Sequence, residues 1–227
     1  MTQHKIDEIS AVVFDAYGTL FNLDAMTATA RESLDEKAQL LIGLWRQKQL
    51  EYSWLRSLMG RHADFWEVTG EALDYALAAM GTQIPGLRHR LMSCYLTPTA
   101  YPEALDVLTR LKSQDQRLAI LSNGTPAMLD SGTKAAGMQP WLDAVLSVES
   151  VGVFKPHPSV YKLATDHFKL PPEQIAFVSS NGWDVAGAAA FGFQVIWVNR
   201  MGQPQENLPA VPTATLPNLS SLPELLS

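Results

Sequence analysis

Four short polar clusters carry the chemistry available to this chain. Phe14-Asp15-Ala16-Tyr17-Gly18-Thr19-Leu20 sets a carboxylate at the end of an apolar run, with Tyr17 instead of a second carboxylate two residues on. Ser122-Asn123-Gly124-Thr125 ends another apolar run, and its glycine permits a tight turn before a helix N-terminus whose N–H groups favour an anion. Phe154-Lys155-Pro156 presents an ammonium in a proline-stiffened turn, and Ser179-Ser180-Asn181-Gly182-Trp183-Asp184 supplies a second carboxylate among hydroxyls, an amide and an indole. An ionised aspartate is a nucleophile when held in a cleft, and two carboxylates in one cleft require a cation such as Lys155 beside them.

These clusters act together only if a scaffold gathers them at one edge. Ala11-Val12-Val13-Phe14 is short and apolar and reads as a buried parallel strand that delivers Asp15 to its carboxyl end, where ligands bind in open α/β sheets. Further strands are expected at 118–122, 144–147, 175–179 and 195–198, alternating with helices at 102–112, 126–136, 158–168 and 184–191. A last strand and a capped helix are expected after the Pro-rich stretch beyond Arg200. Such alternation predicts a Rossmann-like, doubly wound parallel sheet with helices on both faces. Between the first strand and this alternating half, helical patterns run without a convincing strand. The expected division is therefore an α/β core of residues 1–20 and 97–227 carrying an inserted helical cap of residues 21–96.

The totals exclude several classes. The chain has 227 residues, 47% of them hydrophobic, which is ample for a core, and its net charge of −6 with only 17 Lys and Arg argues against a nucleic-acid partner. No apolar run approaches the roughly 20 residues that a bilayer requires. Cys94 is the single cysteine, so no internal disulfide forms, and the N-terminus lacks an apolar signal core, which together predict a cytoplasmic protein. The five histidines, His4, His62, His89, His157 and His167, show no metal-ligand spacing.

Taken together, Asp15 with Gly18 and Thr19, Ser122-Asn123, Lys155-Pro156, and Ser179-Ser180-Asn181 with Asp184 resemble the four motifs of the haloacid dehalogenase superfamily. The stretch Leu44-Trp45-Arg46-Gln47-Lys48-Gln49-Leu50-Glu51-Tyr52-Ser53-Trp54 is similar to a cap helix of its L-2-haloacid dehalogenases and is the more specific match. Phosphatases of the superfamily carry Asp-x-Asp, whose second Asp protonates a leaving alkoxide, and hold magnesium. A halide leaves as a weak base and needs no proton, so Tyr17 fits dehalogenation, and no metal or other cofactor is expected.

The resemblance implies a two-step displacement on short 2-haloacids. Asp15 attacks C2 from behind the carbon–halogen bond, forming an ester with inversion, and water then attacks the carboxyl carbon of Asp15. Asp184 and Lys155 would keep each other ionised and position that water, with Ser179 and Asn181 in support and Thr19 orienting Asp15. Ser122 and the backbone amides from Ala16 onward would hold the substrate carboxylate. Arg46, Asn123 and the edge of Trp183 would meet the departing halide, while Tyr17, Gln47, Leu50 and Phe65 would wall the alkyl side, with Tyr161 a further pocket candidate. A homodimer through the cap is also implied.

Plainer roles exist for most of these residues. Asp184 could be a helix cap, Arg46 could lie on the wet face of an amphipathic helix, and Trp45, Tyr52, Trp54, Phe65 and Trp66 could be cap core. Cys94 is expected to be a small, at least partly buried residue without chemistry. Two other functions stay open at this point: a magnesium-dependent phosphatase on the same fold, and a non-catalytic binding protein.

Overall fold

The computed structural model of the chain describes Ile6 and residues 8–226; His4, to which no role was assigned, lies outside the described residues. The first strand, β1 (Ala11–Phe14), has all four residues fully buried, as expected of a strand covered on both faces. The chain then turns through Asp15–Leu20. There the carbonyl of Ala16 accepts from the N–H groups of Thr19, Leu20 and Phe21, and Gly18 adopts a φ of 89°, a left-handed conformation that suits glycine.

A two-residue strand, β2 (Phe21–Asn22), leads into four helices: α1 (Asp24–Leu34), α2 (Ala38–Met59), α3 (Phe65–Ala79) and α4 (Leu87–Ser93). The chain returns through β3 (Thr99–Ala100), which pairs antiparallel with β2 and forms a narrow stalk beneath the helical layer. Leu41, Ile42 and Trp45 of α2 and Val68, Ala72 and Leu73 of α3 are buried, so each helix turns an apolar stripe inward. Asp64 caps α3 by accepting from the N–H of Glu67.

The remainder alternates as the residue pattern predicts: α5 (Ala104–Ser113), β4 (Arg117–Ser122), α6 (Pro126–Ala135), β5 (Ala144–Ser147), α7 (Pro158–Phe168), β6 (Ile175–Ser179), α8 (Gly182–Phe191), β7 (Gln194–Val198), β8 (Ala214–Leu216) and α9 (Leu222–Leu225). The six longer-range strands form one parallel sheet in the order β5-β4-β1-β6-β7-β8. Two helices start elsewhere than expected. α5 begins at Ala104, because the N–H of Ala104 closes a turn on the carbonyl of Tyr101, and α8 begins two residues before Asp184.

Register brings the site together. Phe14 pairs with Ile120 on one side and with Val178 on the other, so Asp15 stands level with Ser179 while Ser122 ends the neighbouring strand. The N–H of Asp15 extends the ladder by one bond to the carbonyl of Val178 at 2.9 Å. On the far side of β6, Gly187 lets α8 close onto the Lys155-Pro156 turn. A Cβ there would lie 2.5 Å from Pro156 Cβ and 2.6 Å from the Tyr161 hydroxyl.

Candidate active site

Asp15 lies at the point where β1, β4 and β6 end, and donors surround its carboxylate. Its Oδ1 accepts from Lys155 Nζ at 3.2 Å, and its Oδ2 accepts from Thr19 Oγ1 at 3.1 Å and from Asn181 Nδ2 at 2.9 Å. Thr19 Oγ1 in turn accepts from the N–H of Ser180 at 2.9 Å, which fixes the hydroxyl proton toward Asp15. Asp15 remains 7% exposed while the groups behind it are sealed, so one side of its carboxylate is open to a ligand.

Lys155 is fully buried and bridges two carboxylates, since its Nζ also donates to Asp184 Oδ2 at 2.9 Å. Burial disfavours its charged form, but Asp15 and Asp184 outweigh that and hold the ammonium above the ordinary lysine value. The backbone places this side chain too: the N–H of Lys155 donates to Asn123 Oδ1 at 3.0 Å. Asn123 thereby spends its oxygen and keeps only N–H donors, which suit an anion.

Asp184 is also fully buried, and burial together with the charge of Asp15 raises its carboxyl above the usual range, against the opposing pull of Lys155 and Tyr161. The Tyr161 hydroxyl donates to Asp184 Oδ1 at 2.7 Å and is itself raised well above the usual tyrosine value by burial and by Asp184. Two expectations change here. Asp184 is not a helix cap: Asn181 holds that position, and the buried Asp184 carboxylate accepts from Lys155 and Tyr161 instead. Tyr161, a pocket candidate in the sequence, is completely buried, and its hydroxyl is committed to Asp184.

The remaining residues distribute as follows. Ser179 Oγ accepts from the N–H of Asn181 at 3.2 Å, so it supports Asn181 and is not bonded to Asp15. Ser122 is buried with its Oγ accepting from the N–H of Gly124 at 3.1 Å, and Ala16 is buried in the turn. Trp183 keeps a buried Nε1–H without a partner, a donor free for an anion. Tyr17 is buried, and burial with the neighbouring Tyr95 and Asp15 pushes its hydroxyl far above the ordinary range; that hydroxyl donates to the carbonyl of Tyr95 at 3.2 Å. Phe65 is buried with its ring 5.9 Å from that of Phe154, Leu50 is half-buried, and Gln47 is exposed. Cys94 is half-buried.

Arg46 is half-buried and reaches the cleft between the helical layer and the sheet. That cleft, of about 800 Å³, runs from Gly18, Ser180 and Arg46 outward to Arg200 and Glu206. Further contacts across the two layers escaped sequence reasoning. Ser57 Oγ accepts from the N–H of Phe154 at 3.1 Å, Glu149 meets His62 Nε2 at 2.9 Å and the N–H of Phe65 at 3.3 Å, and the rings of Trp54 and Trp183 meet edge to face at 5.6 Å. Also missed was the buried polar row on α2, where Gln49 and Ser53 follow Leu41 and Trp45 at four-residue steps. The signal was present: a helix face that is apolar for two turns and then polar, yet still buried. Among the described residues, no group of three or more His, Cys, Asp or Glu side chains could hold a metal ion, and no helix is long and apolar enough to cross a membrane.

Comparison with known proteins gives a consistent result. A family model described as haloacid dehalogenase-like hydrolase matches residues 9–192. (S)-2-haloacid dehalogenase 1 of Pseudomonas sp. (strain CBS-3) is 44% identical over 222 residues, covering 97% of this chain and 98% of that protein. Haloacetate dehalogenase H-2 of Moraxella sp. (strain B) is 38% identical over 97% of this chain and 99% of its own length. The structure of L-2-haloacid dehalogenase from Xanthobacter autotrophicus with chloropropionic acid covalently bound superposes with a TM-score of 0.88 at 39% identity, covering 96% of this chain and 98% of that one.

Proposed function

The chain belongs to the haloacid dehalogenase-like hydrolase family, and we propose that it is an (S)-2-haloacid dehalogenase that converts short L-2-haloalkanoates to (R)-2-hydroxy acids and halide. The observation that carries this reading is the Asp15 carboxylate, oriented by Lys155, Thr19 and Asn181, with Tyr17 in the place where an alkoxide-protonating acid would stand. The likeness to named haloacid dehalogenases over nearly the whole chain supports it over the phosphatase and non-catalytic alternatives.

In the first step Asp15 forms a bond to C2 and the carbon–halogen bond breaks, the halide leaving with the bonding pair. Arg46, Asn123 and Trp183 supply donors for that anion, while Ser122 and the backbone amides that follow Asp15, from Ala16 onward, receive the substrate carboxylate. In the second step water attacks the ester carbon of Asp15. The oxyanion that develops there meets donors already in place on the carboxylate, namely Thr19 and Asn181, so little reorganisation is needed. Asp184, held by Lys155 and Tyr161, receives the proton of the attacking water. The oxyanion then collapses, the bond between the carboxyl carbon and the ester oxygen breaks, and that proton passes to the departing oxygen, which releases the 2-hydroxy acid and restores the Asp15 carboxylate, while Ser179 holds Asn181 in position. Tyr17, Leu50 and Phe65 close the alkyl side. Gln47 serves at most the rim, being exposed.

Residues 21–96 act as a cap over an α/β core formed by 1–20 and 97–227. Leu40, Leu58 and Met59 are exposed on α2, which supports a homodimer formed through the cap, and the lone Cys94 suits the cytoplasm. A monomer mass in sedimentation would remove the dimer.

The test is halide release from each enantiomer of 2-chloropropionate, with and without EDTA, by the wild-type chain and by Asp15→Asn. Release from the L form alone, insensitive to chelator and abolished in the variant, is the expected outcome. No release from either enantiomer refutes the proposal.

A further inference from the structure

Building on the reading of Arg46 as the halide contact of this site, we infer that Gln49 is a positioning residue that fixes the Arg46 guanidinium while leaving its positive charge unspent. Arg46 Nη1 donates to Gln49 Oε1 at 2.6 Å and to the Tyr95 hydroxyl at 3.0 Å. Both partners are neutral. Arg56, Arg88, Arg110 and Arg200 each face a carboxylate instead, Arg56 with Glu71 and Arg200 with Glu103 among them. A carboxylate against Arg46 would cancel its field where an anion must be received. Neutral acceptors hold the group and keep that field for the cleft.

The orientation of Gln49 follows from its neighbours. Arg46 can only donate, so the amide oxygen faces it and the amide nitrogen faces away. That nitrogen donates to Thr69 Oγ1 at 2.6 Å, and the Thr69 hydroxyl donates to the carbonyl of Phe65 at 2.5 Å. The Tyr95 hydroxyl accepts from Arg46 and donates to Gln49 Oε1 at 3.2 Å. Gln49 and Thr69 are fully buried, and a buried network with its members satisfied is rigid. One amide thus ties Arg46 on α2 to the first turn of α3, where Phe65 stands.

Gln49→Glu tests this, because it keeps the shape of the side chain and replaces the neutral acceptor with a carboxylate. Thr69 can still serve it by turning its hydroxyl proton toward the new oxygen, since the Phe65 carbonyl retains its helical partner. Turnover of L-2-chloropropionate and inhibition by added bromide are measured for wild type and variant, with the thermal midpoint of each. The expected result is a fall in kcat/KM of roughly tenfold or more, because a carboxylate in contact with Arg46 offsets the charge that would otherwise attract an anion, and a matching rise in the bromide inhibition constant, without a lower midpoint. A role in cap stability alone would lower the midpoint and leave bromide inhibition unchanged, and that result overturns the inference.

Gln49→Met, which keeps the length and removes all three side-chain hydrogen bonds, to Arg46, Tyr95 and Thr69, stands in if the Glu variant does not fold. It is expected to weaken bromide inhibition several-fold, and unchanged inhibition in the folded variant likewise overturns the proposal. A wild-type chain that releases no halide refutes the dehalogenase reading itself, whereas an active wild type with an indifferent Gln49→Glu refutes only the role of Gln49.

Discussion

Replacing Lys155 with methionine removes one charge and two hydrogen bonds while keeping most of the side chain's volume. The ammonium is buried between Asp15 Oδ1 at 3.2 Å and Asp184 Oδ2 at 2.9 Å, so the variant leaves two carboxylates facing one another with little water. Breaking a buried ion pair from one side costs about 3–5 kcal/mol. For a chain of this size that corresponds to a fall in Tm of roughly 6–20 °C. The loss depends on pH, and its sign follows from the groups involved. Lys155 is held above the ordinary lysine value, so its stabilisation is fully present at and below neutral pH and is lost only as pH rises through that higher value. Asp184 is already raised by burial, and losing Lys155 raises it further. A carboxyl raised in the folded state favours folding when protonated, and this benefit is lost as pH rises through its folded value. The deficit of Lys155→Met should therefore widen as pH rises from about 5 to about 8, by at most about 1.4 kcal/mol per pH unit for each proton involved. Calorimetric Tm measurements on both proteins across that interval, paired with halide release, provide the assay. A deficit that stays flat with pH, or a variant more stable than wild type at pH 8, would refute the claim that Lys155 neutralises two ionised carboxylates.

Tyr161→Phe removes the donor to Asp184 Oδ1, which lowers that carboxyl, so the acid limb of kcat against pH should move upward and stability should fall by about 1–3 kcal/mol; an acid limb unchanged from wild type counts against this contact. Gly187→Ala forces a methyl group against Pro156 and the Tyr161 hydroxyl, and overpacking of this kind costs about 1–3 kcal/mol. Because it displaces that hydroxyl, its pH–rate profile should shift in the same direction as that of Tyr161→Phe, and a destabilised variant with a wild-type profile would separate packing from positioning.

The parallel strands were legible because Ala11–Phe14 and Ile175–Ser179 are short, apolar and followed by polar residues, a pattern that few other arrangements produce. The convergence of Asp15, Lys155, Asn181 and Asp184 then followed from strand order. What the residues did not reveal was the layer behind them. The commitment of Tyr161 to Asp184 depends on the distance between α7 and α8, which Gly187 sets through a contact 26 positions from Tyr161 in the chain. Such a contact has no periodic signature. Gln49 escaped notice for the opposite reason: glutamine on a long helix is ordinarily solvated, and only the burial of the whole Trp45-Gln49-Ser53 row marks it as internal.

Tyr17 bears on how this chain can change. Its ring lies 5.4 Å from Phe21 and 5.1 Å from Tyr95, and its hydroxyl closes on the Tyr95 carbonyl, so the residue two positions after Asp15 joins the sheet to the helical layer. Exchanging it for the aspartate that phosphatases of the superfamily carry there would cut this joint and place a third carboxylate beside a site that has a single lysine. A single-residue path from one chemistry to the other therefore crosses a state that is both less stable and electrostatically overloaded. Compensating changes at Tyr95 and around Lys155 would have to accompany that exchange, so position 17 is held by its packing partners as firmly as by the chemistry it permits.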